Sequence, residues 1–165
     1  MLPLKHRLLI ILFAIGLLSL AFAELKVGEP FPDLTTLKLA GKLPVDLKDK
    51  IVVVDFWASW CKPCKKSFPA LNELQRKFAA QGLLIIGVNE DEKPANMADF
   101  LAKNPATFAV VRDADQKLVA QIGVNTMPSS FILDRTGKVR FIHSGFHGDD
   151  TKQQYMTEIE SLLRP

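Results

Sequence analysis

The sequence predicts an α/β fold, with a mixed central sheet, helices on both faces and an N-terminal β-hairpin extension. Apart from Asp55, residues 51–56 are apolar and mostly β-branched, as in a fully buried strand. A second apolar run at 83–88 suits a buried parallel strand. Between the two runs, apolar side chains recur at helical spacing: Phe68, Leu71, Leu74 and Phe78. The order strand, helix, strand is typical of a layered α/β domain.

The remaining elements follow in chain order. Helices are predicted at 95–103, 116–122 and 150–163, and strands at 108–111, 130–133 and 139–143. Pro105 breaks the first of these helices and Gly123 ends the second. The sequence Asp-Arg-Thr-Gly at 134–137 predicts a hairpin turn. Ahead of the core, residues 37–42 and 45–47 predict the N-terminal hairpin.

Residues 1–23 have the features of a secretory signal. Basic residues at 5–7 precede an apolar run at 8–20, and small residues follow at 21–23. Cleavage after Ala23 would leave one ordinary-sized domain at 24–165; an uncleaved membrane anchor is the alternative. No cysteine follows the apolar run, which excludes a lipid-modified N-terminal cysteine. We therefore expect a periplasmic or otherwise extracytoplasmic protein.

The charge balance gives no sign of a nucleic-acid partner. The chain has 21 Lys and Arg against 18 Asp and Glu. Loss of Lys5 and Arg7 with the signal leaves 19 basic residues, a net charge of about +1. Binding to nucleic acid or to a membrane surface would need a concentrated basic face. Proteins are the expected partners.

The two cysteines of the chain stand together as Cys61-Lys62-Pro63-Cys64, where the first strand gives way to a helix. The free amides and the positive dipole end of a helix N-terminus favour a thiolate and lower a cysteine pKa. Lysines at 62, 65 and 66 add positive charge, or simply form a solvated helix face. The spacing predicts a disulfide that forms and breaks.

Two other roles for the pair are less consistent with the sequence. A fixed structural disulfide closing so short a loop would remove little entropy from the unfolded chain. A zinc site needs about four ligands, and the chain adds only His6, His143 and His147 to its two cysteines. We expect neither a metal site nor a bound cofactor.

Several segments carry a family resemblance. They are VDFWA at 54–58, WC at 60–61, PCK at 63–65, Pro69 inside the helix and the stretch 123–139 around Met127-Pro128. The chain resembles the thioredoxin superfamily and, within it, the extracytoplasmic TlpA-like and ResA-like (DsbE-like) thiol-disulfide oxidoreductases. The resemblance extends from about Val27 to the end and implies a thioredoxin-like fold. Lys62-Pro63 replaces the Gly-Pro usual in thioredoxins, so the resemblance does not fix the redox potential.

The resemblance and the residues together suggest a division of roles. We expect Cys61 to attack a partner disulfide and Cys64 to resolve the mixed disulfide. Asp55 lies in an otherwise apolar strand, where burial should raise its pKa to a range useful for accepting the proton of Cys64. It also matches the buried aspartate of thioredoxins. A carboxylate satisfied by water at the strand end is the alternative.

Other site residues come from the resemblance alone. Pro128 matches the family's cis-proline, which would place the Met127 backbone beside the sulfurs to pair with substrate. Trp60 would shape the exposed surface around the first cysteine and Trp57 would pack below it, although either could be an ordinary core or rim residue. Glu92 matches an acidic residue near the active site of the TlpA/ResA-like group; the alternative is a solvated first turn of the next helix.

The predicted function is exchange of disulfides with partner proteins, mainly as a reductase, for example in cytochrome c maturation or copper-site assembly. An exported pair needs a dedicated partner to recharge it, for which a membrane-bound electron donor is expected. A dithiol oxidant is one alternative. A copper-binding assembly factor using Cys61, Cys64 and a histidine is another, although copper carriers of this fold use a wider cysteine spacing. The Trp-Cys-x-x-Cys pattern argues against a peroxidase.

Overall fold

The computed structural model describes residues 24–164, and the predicted leader at 1–23 lies outside them. The strands are β1 (Ala40–Gly41), β2 (Ile51–Trp57), β3 (Leu83–Asn89), β4 (Ala109–Arg112), β5 (Ser129–Leu133) and β6 (Val139–Ser144). The helices are α1 (Lys62–Phe78), α2 (Pro94–Lys103), α3 (Lys117–Ile122) and α4 (Asp149–Leu163), with single 3₁₀ turns at Leu34–Thr36 and Ala79–Gln81. These bounds lie within about two residues of the predicted ones from 51 onward.

The strands form one mixed sheet in the order β1-β4-β3-β2-β5-β6. The central strands β2, β3 and β4 run parallel, and β5 runs antiparallel to β2. The β5–β6 pair closes through the predicted turn, in which the Gly137 amide donates to the Asp134 carbonyl oxygen at 2.9 Å. The predicted mixed α/β architecture is confirmed.

Alternating side chains of β2 separate two hydrophobic cores, as the period of a strand requires. Ile51, Val53 and Trp57 face a core that includes buried side chains of α1, α2 and α4. Val52, Val54 and Phe56 face a second core formed with α3 and the N-terminal segment. Helices therefore cover both faces, and every β2 side chain is buried.

The predicted N-terminal hairpin is wrong. The segment contributes only β1, which pairs antiparallel with the edge strand β4. Val45 is almost fully exposed, whereas Leu39, Leu43 and Leu47 pack against the second core. The three leucines are thus partly buried against the second core without a second strand of the segment beside β1. Within residues 24–164, no helix has the length and apolar character needed to cross a membrane.

The strand register brings four connections to one edge of the sheet. At the carboxyl ends of the parallel strands, Trp57 of β2 is opposite Asn89 of β3, and Asn89 is opposite Arg112 of β4. On the other side of β2, Phe56 is opposite Ser129, where antiparallel β5 begins. The loops after β2, β3 and β4 and the loop before β5 therefore meet, as ligand sites of open α/β sheets do.

Candidate active site

The two cysteines lie where β2 turns into α1. Cys61 is the N-cap residue of the 17-residue helix, and its sulfur accepts a hydrogen bond from the Cys64 amide at 3.1 Å. The two residues form a disulfide with their Cα atoms 5.3 Å apart. Pro63, in the first turn, lacks only an amide hydrogen that an α-helix leaves unpaired there. The Cys61 sulfur thus lies at the positive end of the helix dipole.

The two cysteine residues differ in exposure to solvent. Cys61 retains 4% exposure and Cys64 none. Trp60, immediately before the pair, is 71% exposed, whereas Trp57 is fully buried against Phe68, with ring centroids 4.8 Å apart. An incoming partner therefore meets Trp60 and Cys61 first, with Cys64 behind them.

Asp55 lies within β2 with no exposure. By strand alternation its side chain points to the same face as Val53 and Trp57, the face whose core includes both cysteines. Burial raises the pKa of Asp55 to about 7, and a hydrogen bond from Ser130 partly opposes that shift. A carboxyl with this pKa exchanges protons readily near neutral pH.

Asp55 is linked to two hydroxyl groups. The Ser130 hydroxyl donates to Asp55 Oδ1 at 2.5 Å and lies 2.7 Å from the Tyr155 hydroxyl of α4. Burial, and then the nearby Asp55 charge, raise the pKa of Tyr155 further above its ordinary value, so that its hydroxyl stays protonated. Asp55 Oδ2 has no hydrogen-bond partner among residues 24–164. Oδ1 of Asp55 is thus held by a hydrogen bond, and Oδ2 is available to accept a proton.

The loop before Cys61 is held by the loop after β3. The Asp91 carboxylate accepts from the Ser59 amide at 3.0 Å and from the Ser59 hydroxyl at 2.7 Å. The Asn89 side-chain amide donates to Asp91 at 2.8 Å. The Glu90 amide donates to the Trp57 carbonyl oxygen at 2.9 Å. These bonds fix the approach to the cysteines, and no local pattern in the sequence predicts them.

The loop before β5 lies at the same edge. The Met127–Pro128 peptide bond is cis, in agreement with the resemblance. Met127 and Trp60 line one cleft, and Glu92 lies exposed along it. The structure therefore brings these three predicted residues to a common surface beside Cys61.

Glu90 was missed in the sequence analysis. It is 4% exposed, and neither of its carboxylate oxygens has a hydrogen-bond partner among residues 24–164. Burial, with the negative charges of Asp113 and Asp91, raises the pKa of Glu90 to about 9. The available signal was its place as the first residue after a buried strand.

Of the three histidines, His143 and His147 lie among the described residues. Residues 24–164 contain no group of three or more His, Cys, Asp or Glu side chains arranged to hold a metal ion. His143 Nε2 instead lies 2.6 Å from a Glu158 carboxylate oxygen.

Comparison with known proteins identifies the family. The AhpC/TSA family matches residues 27–142 of this sequence. The chain belongs to this family. Among curated members, the thiol-disulfide oxidoreductase ResA of Bacillus thuringiensis (strain Al Hakam) is 35% identical over 133 residues, 79% of this chain and 75% of the relative. ResA of Geobacillus thermodenitrificans is 33% identical over 162 residues, 94% of this chain and 91% of the relative.

A solved structure gives the same result for the fold. A crystal structure from Chlorobium tepidum, assigned as the thiol:disulfide interchange protein DsbE, superposes with a TM-score of 0.79 at 38% identity. The match covers 86% of this chain and all of the other. This AhpC/TSA member has a thioredoxin-like fold and, with its Cys61–Cys64 pair, is a thiol-disulfide oxidoreductase.

Proposed function

We propose that the protein acts as a reductase of disulfides in exported partner proteins. The Cys61 thiolate attacks one sulfur of the partner disulfide, and the other partner sulfur leaves as a thiolate. The Cys64 thiolate then attacks Cys61 in the mixed disulfide and releases the second partner sulfur. The partner gains two electrons and two protons, and the Cys61–Cys64 disulfide forms. A dithiol protein must then reduce that disulfide.

One observation supports this order of events: Cys61 is the cysteine with residual exposure, and Cys64 is fully buried. A buried thiol ionises reluctantly, so resolution needs a proton acceptor on the inner side. Asp55, buried on the same face with a pKa of about 7, fits that role. The two groups would exchange one proton as Cys64 becomes the nucleophile.

The direction follows from the charges beside the pair. Asp91 and Glu92 line the cleft, and Asp55, buried beneath, adds negative charge as it ionises above about pH 7. Negative charge disfavours a thiolate and so favours the disulfide over the dithiolate. Strong oxidants of this chemistry have a stabilised reduced form. An acidic surround therefore supports a low potential and a reductase.

The surface around Cys61 supports protein substrates. Exposed Trp60 and the adjacent Met127 give an apolar platform for an extended segment, with Pro128 behind it. The Met127 backbone would pair with that segment. Glu92, at the margin of the cleft, would be an acid in reach of the exchanging thiols.

The location and partners extend this proposal. The leader-like residues 1–23 support export to the periplasm or another extracytoplasmic space, with an uncleaved anchor as the variant form. There, a membrane-bound donor would supply the electrons. The ResA and DsbE relatives support protein disulfides as substrates, and cytochrome c maturation or copper-site assembly is the setting that the resemblance suggests. The mechanism uses no cofactor, metal or nucleic acid.

A dithiol oxidant is the second candidate, and a specific observation favours it. Cys61 caps α1, and the exposed lysines 62, 65 and 66 surround the helix start. Both features stabilise a thiolate and raise the potential. Because exposed charges are screened by salt and the acids of the site are largely buried, we give the acids more weight.

Trapping tests the proposal. Reduced Cys64→Ser protein is mixed with a labelled peptide that has one internal disulfide, and Cys61→Ser protein is the matched control. We expect Cys64→Ser to form a one-to-one adduct that dithiothreitol releases, and Cys61→Ser to form none. An adduct with Cys61→Ser alone would reverse the roles. Absence of any adduct, with no peptide reduction by wild type, would reject the function.

A further inference from the structure

A cleft of about 590 Å³ opens beside the redox pair. Its walls come from the loops after β3 and β4 and from the residues that flank the cis peptide bond and the cysteines. Trp60, which precedes Cys61 in the chain, lines the cleft together with Met127, Gln116 and Val119. The cleft therefore lies within reach of residues that neighbour a cysteine bound to Cys61.

Glu90 lines the cleft with both carboxylate oxygens unsatisfied among the described residues. Its backbone is held on two sides: the amide donates to Trp57, and the carbonyl oxygen accepts from Gln116 Nε2 at 3.3 Å. Gln116 itself adopts a left-handed backbone with φ 53°. Such a conformation is costly for a residue other than glycine and is found preferentially at functional sites.

The neighbouring acids differ from Glu90 because their hydrogen bonds are made. Asp91 binds Ser59, and Asp113 accepts amide bonds at the start of α3, from Leu118 at 2.7 Å and Val119 at 3.0 Å. Of the three acids Glu90, Asp91 and Asp113, Glu90 is the one whose carboxylate has no hydrogen-bond partner among the described residues. A buried carboxyl without partners loses its hydrogen bonds to water and forms no others, which costs folding free energy.

Among residues 24–164, no Lys or Arg side chain pairs with the Glu90 carboxylate. The Arg112 guanidinium donates to the backbone carbonyl oxygens of Asp91 and Glu92 instead. Lys93 lines the cleft, but no ion pair joins it to Glu90 within residues 24–164. The cleft is therefore acidic, partly apolar and supplied with one unused acceptor.

We propose that this cleft binds a positively charged side chain, Lys or Arg, that flanks the reacting cysteine of the substrate protein. Its ammonium or guanidinium group would donate to the Glu90 carboxylate, and its methylene stem would pack on Trp60 and Met127. This inference rests on the proposed reductase function and adds the feature that selects substrates. Specificity arises because a cation favours the ionised form of Glu90 and pairs with it, whereas a neutral or acidic side chain gains no such ion pair.

Single-turnover reduction of a peptide series tests the idea. The peptides share one internal disulfide and differ in one residue, Arg, Gln or Glu, placed in turn at the two positions before and after the attacked cysteine. For wild type, we expect Arg to exceed Gln by about tenfold at one position, the worth of one charged hydrogen bond. Glu should react most slowly there.

Two variants locate the preference. Glu90→Gln keeps the size of the side chain and should bring the Arg-to-Gln ratio close to one. Asp99→Asn removes one exposed charge of α2 outside the cleft and should keep the wild-type ratio. Reaction of each reduced protein with 2,2′-dithiodipyridine, a small neutral disulfide with no flanking side chain, confirms an intact motif.

The outcomes distinguish the proposed reductase function from the proposed binding of a cation in the cleft. If wild type reduces none of the peptides, the reductase function is rejected. If it reduces them all at equal rates, the function stands and the cleft inference is overturned, whatever the variants do. A ratio that persists in Glu90→Gln, or a preference for Gln or Glu over Arg, also overturns it.

Discussion

Asp55 and Glu90 are two carboxyls that folding withdraws from water, and their surroundings differ. Asp55 is sealed in the core and has one of its oxygens bound to the Ser130 hydroxyl. Glu90 lies at the wall of an open cleft with both oxygens unbound among residues 24–164. Burial raises the pKa of both, to about 7 and about 9. A sealed carboxyl can serve only the protein's own groups, whereas one facing a cleft can serve a ligand.

The largest expected effect is on how the free energy of unfolding depends on pH, which should differ between variants of the two carboxyls. Because the pKa of Asp55 is raised on folding, its ionisation destabilises the native state as pH rises from about 4 to about 7. Asp55→Asn, which keeps an acceptor for Ser130, should therefore match wild type at pH 4 and be more stable at pH 8. The gain is on the order of 4 kcal/mol. Urea denaturation of the oxidised proteins measures it.

For Glu90→Gln the same comparison should give a different curve. The gain should begin above the ordinary glutamate pKa and continue to grow up to about pH 9. The Asp55→Asn gain should level off above about pH 7. If the stability gains of the two variants level off at the same pH, the two carboxyls have the same pKa in the folded protein, and the difference drawn between their surroundings is contradicted.

The next effect concerns the rate of resolution. Asp55→Asn cannot accept the Cys64 proton, so decay of the mixed disulfide at pH 7 should slow by about a hundredfold. The deficit should shrink toward pH 9, where a thiol ionises without help. Acid-quenched single turnovers follow the decay. A pH–rate profile identical to that of wild type would remove Asp55 from the mechanism.

Ser130 offers a finer test. Its hydroxyl stabilises ionised Asp55, so Ser130→Ala should raise the pKa of Asp55 and move the midpoint of the resolution profile upward by about one unit. Ser129→Ala is the matched control, since the Ser129 hydroxyl donates to the Thr126 carbonyl oxygen. Equal shifts in the two variants would show that Ser130 acts only through packing.

The sequence predicted those parts of the fold that have a local signal. Apolar runs and helical spacing identify β2, β3 and α1, and the cysteine spacing identifies the pair. The burial of Asp55 followed from its place in an apolar strand. The hairpin failed because alternating apolar residues indicate burial and say nothing about which surface buries them.

The parts that were missed depend on distant contacts. Ser130 lies 75 residues from Asp55, and Tyr155 lies another 25 beyond Ser130. Glu90 belongs to a run of three acids that look alike in the sequence, and it differs only because β3 ends there, against the β4–α3 connection. No spacing along the chain reports such contacts.

The reduction potential of the Cys61/Cys64 pair tests the central claim, that the protein is a reductase. Residues 24–165 are equilibrated with a thioredoxin of known potential, and the reduced fraction is counted after thiol alkylation. We predict a value near that of thioredoxin, about −270 mV. A value near about −120 mV would contradict the account and make the protein a donor of disulfides.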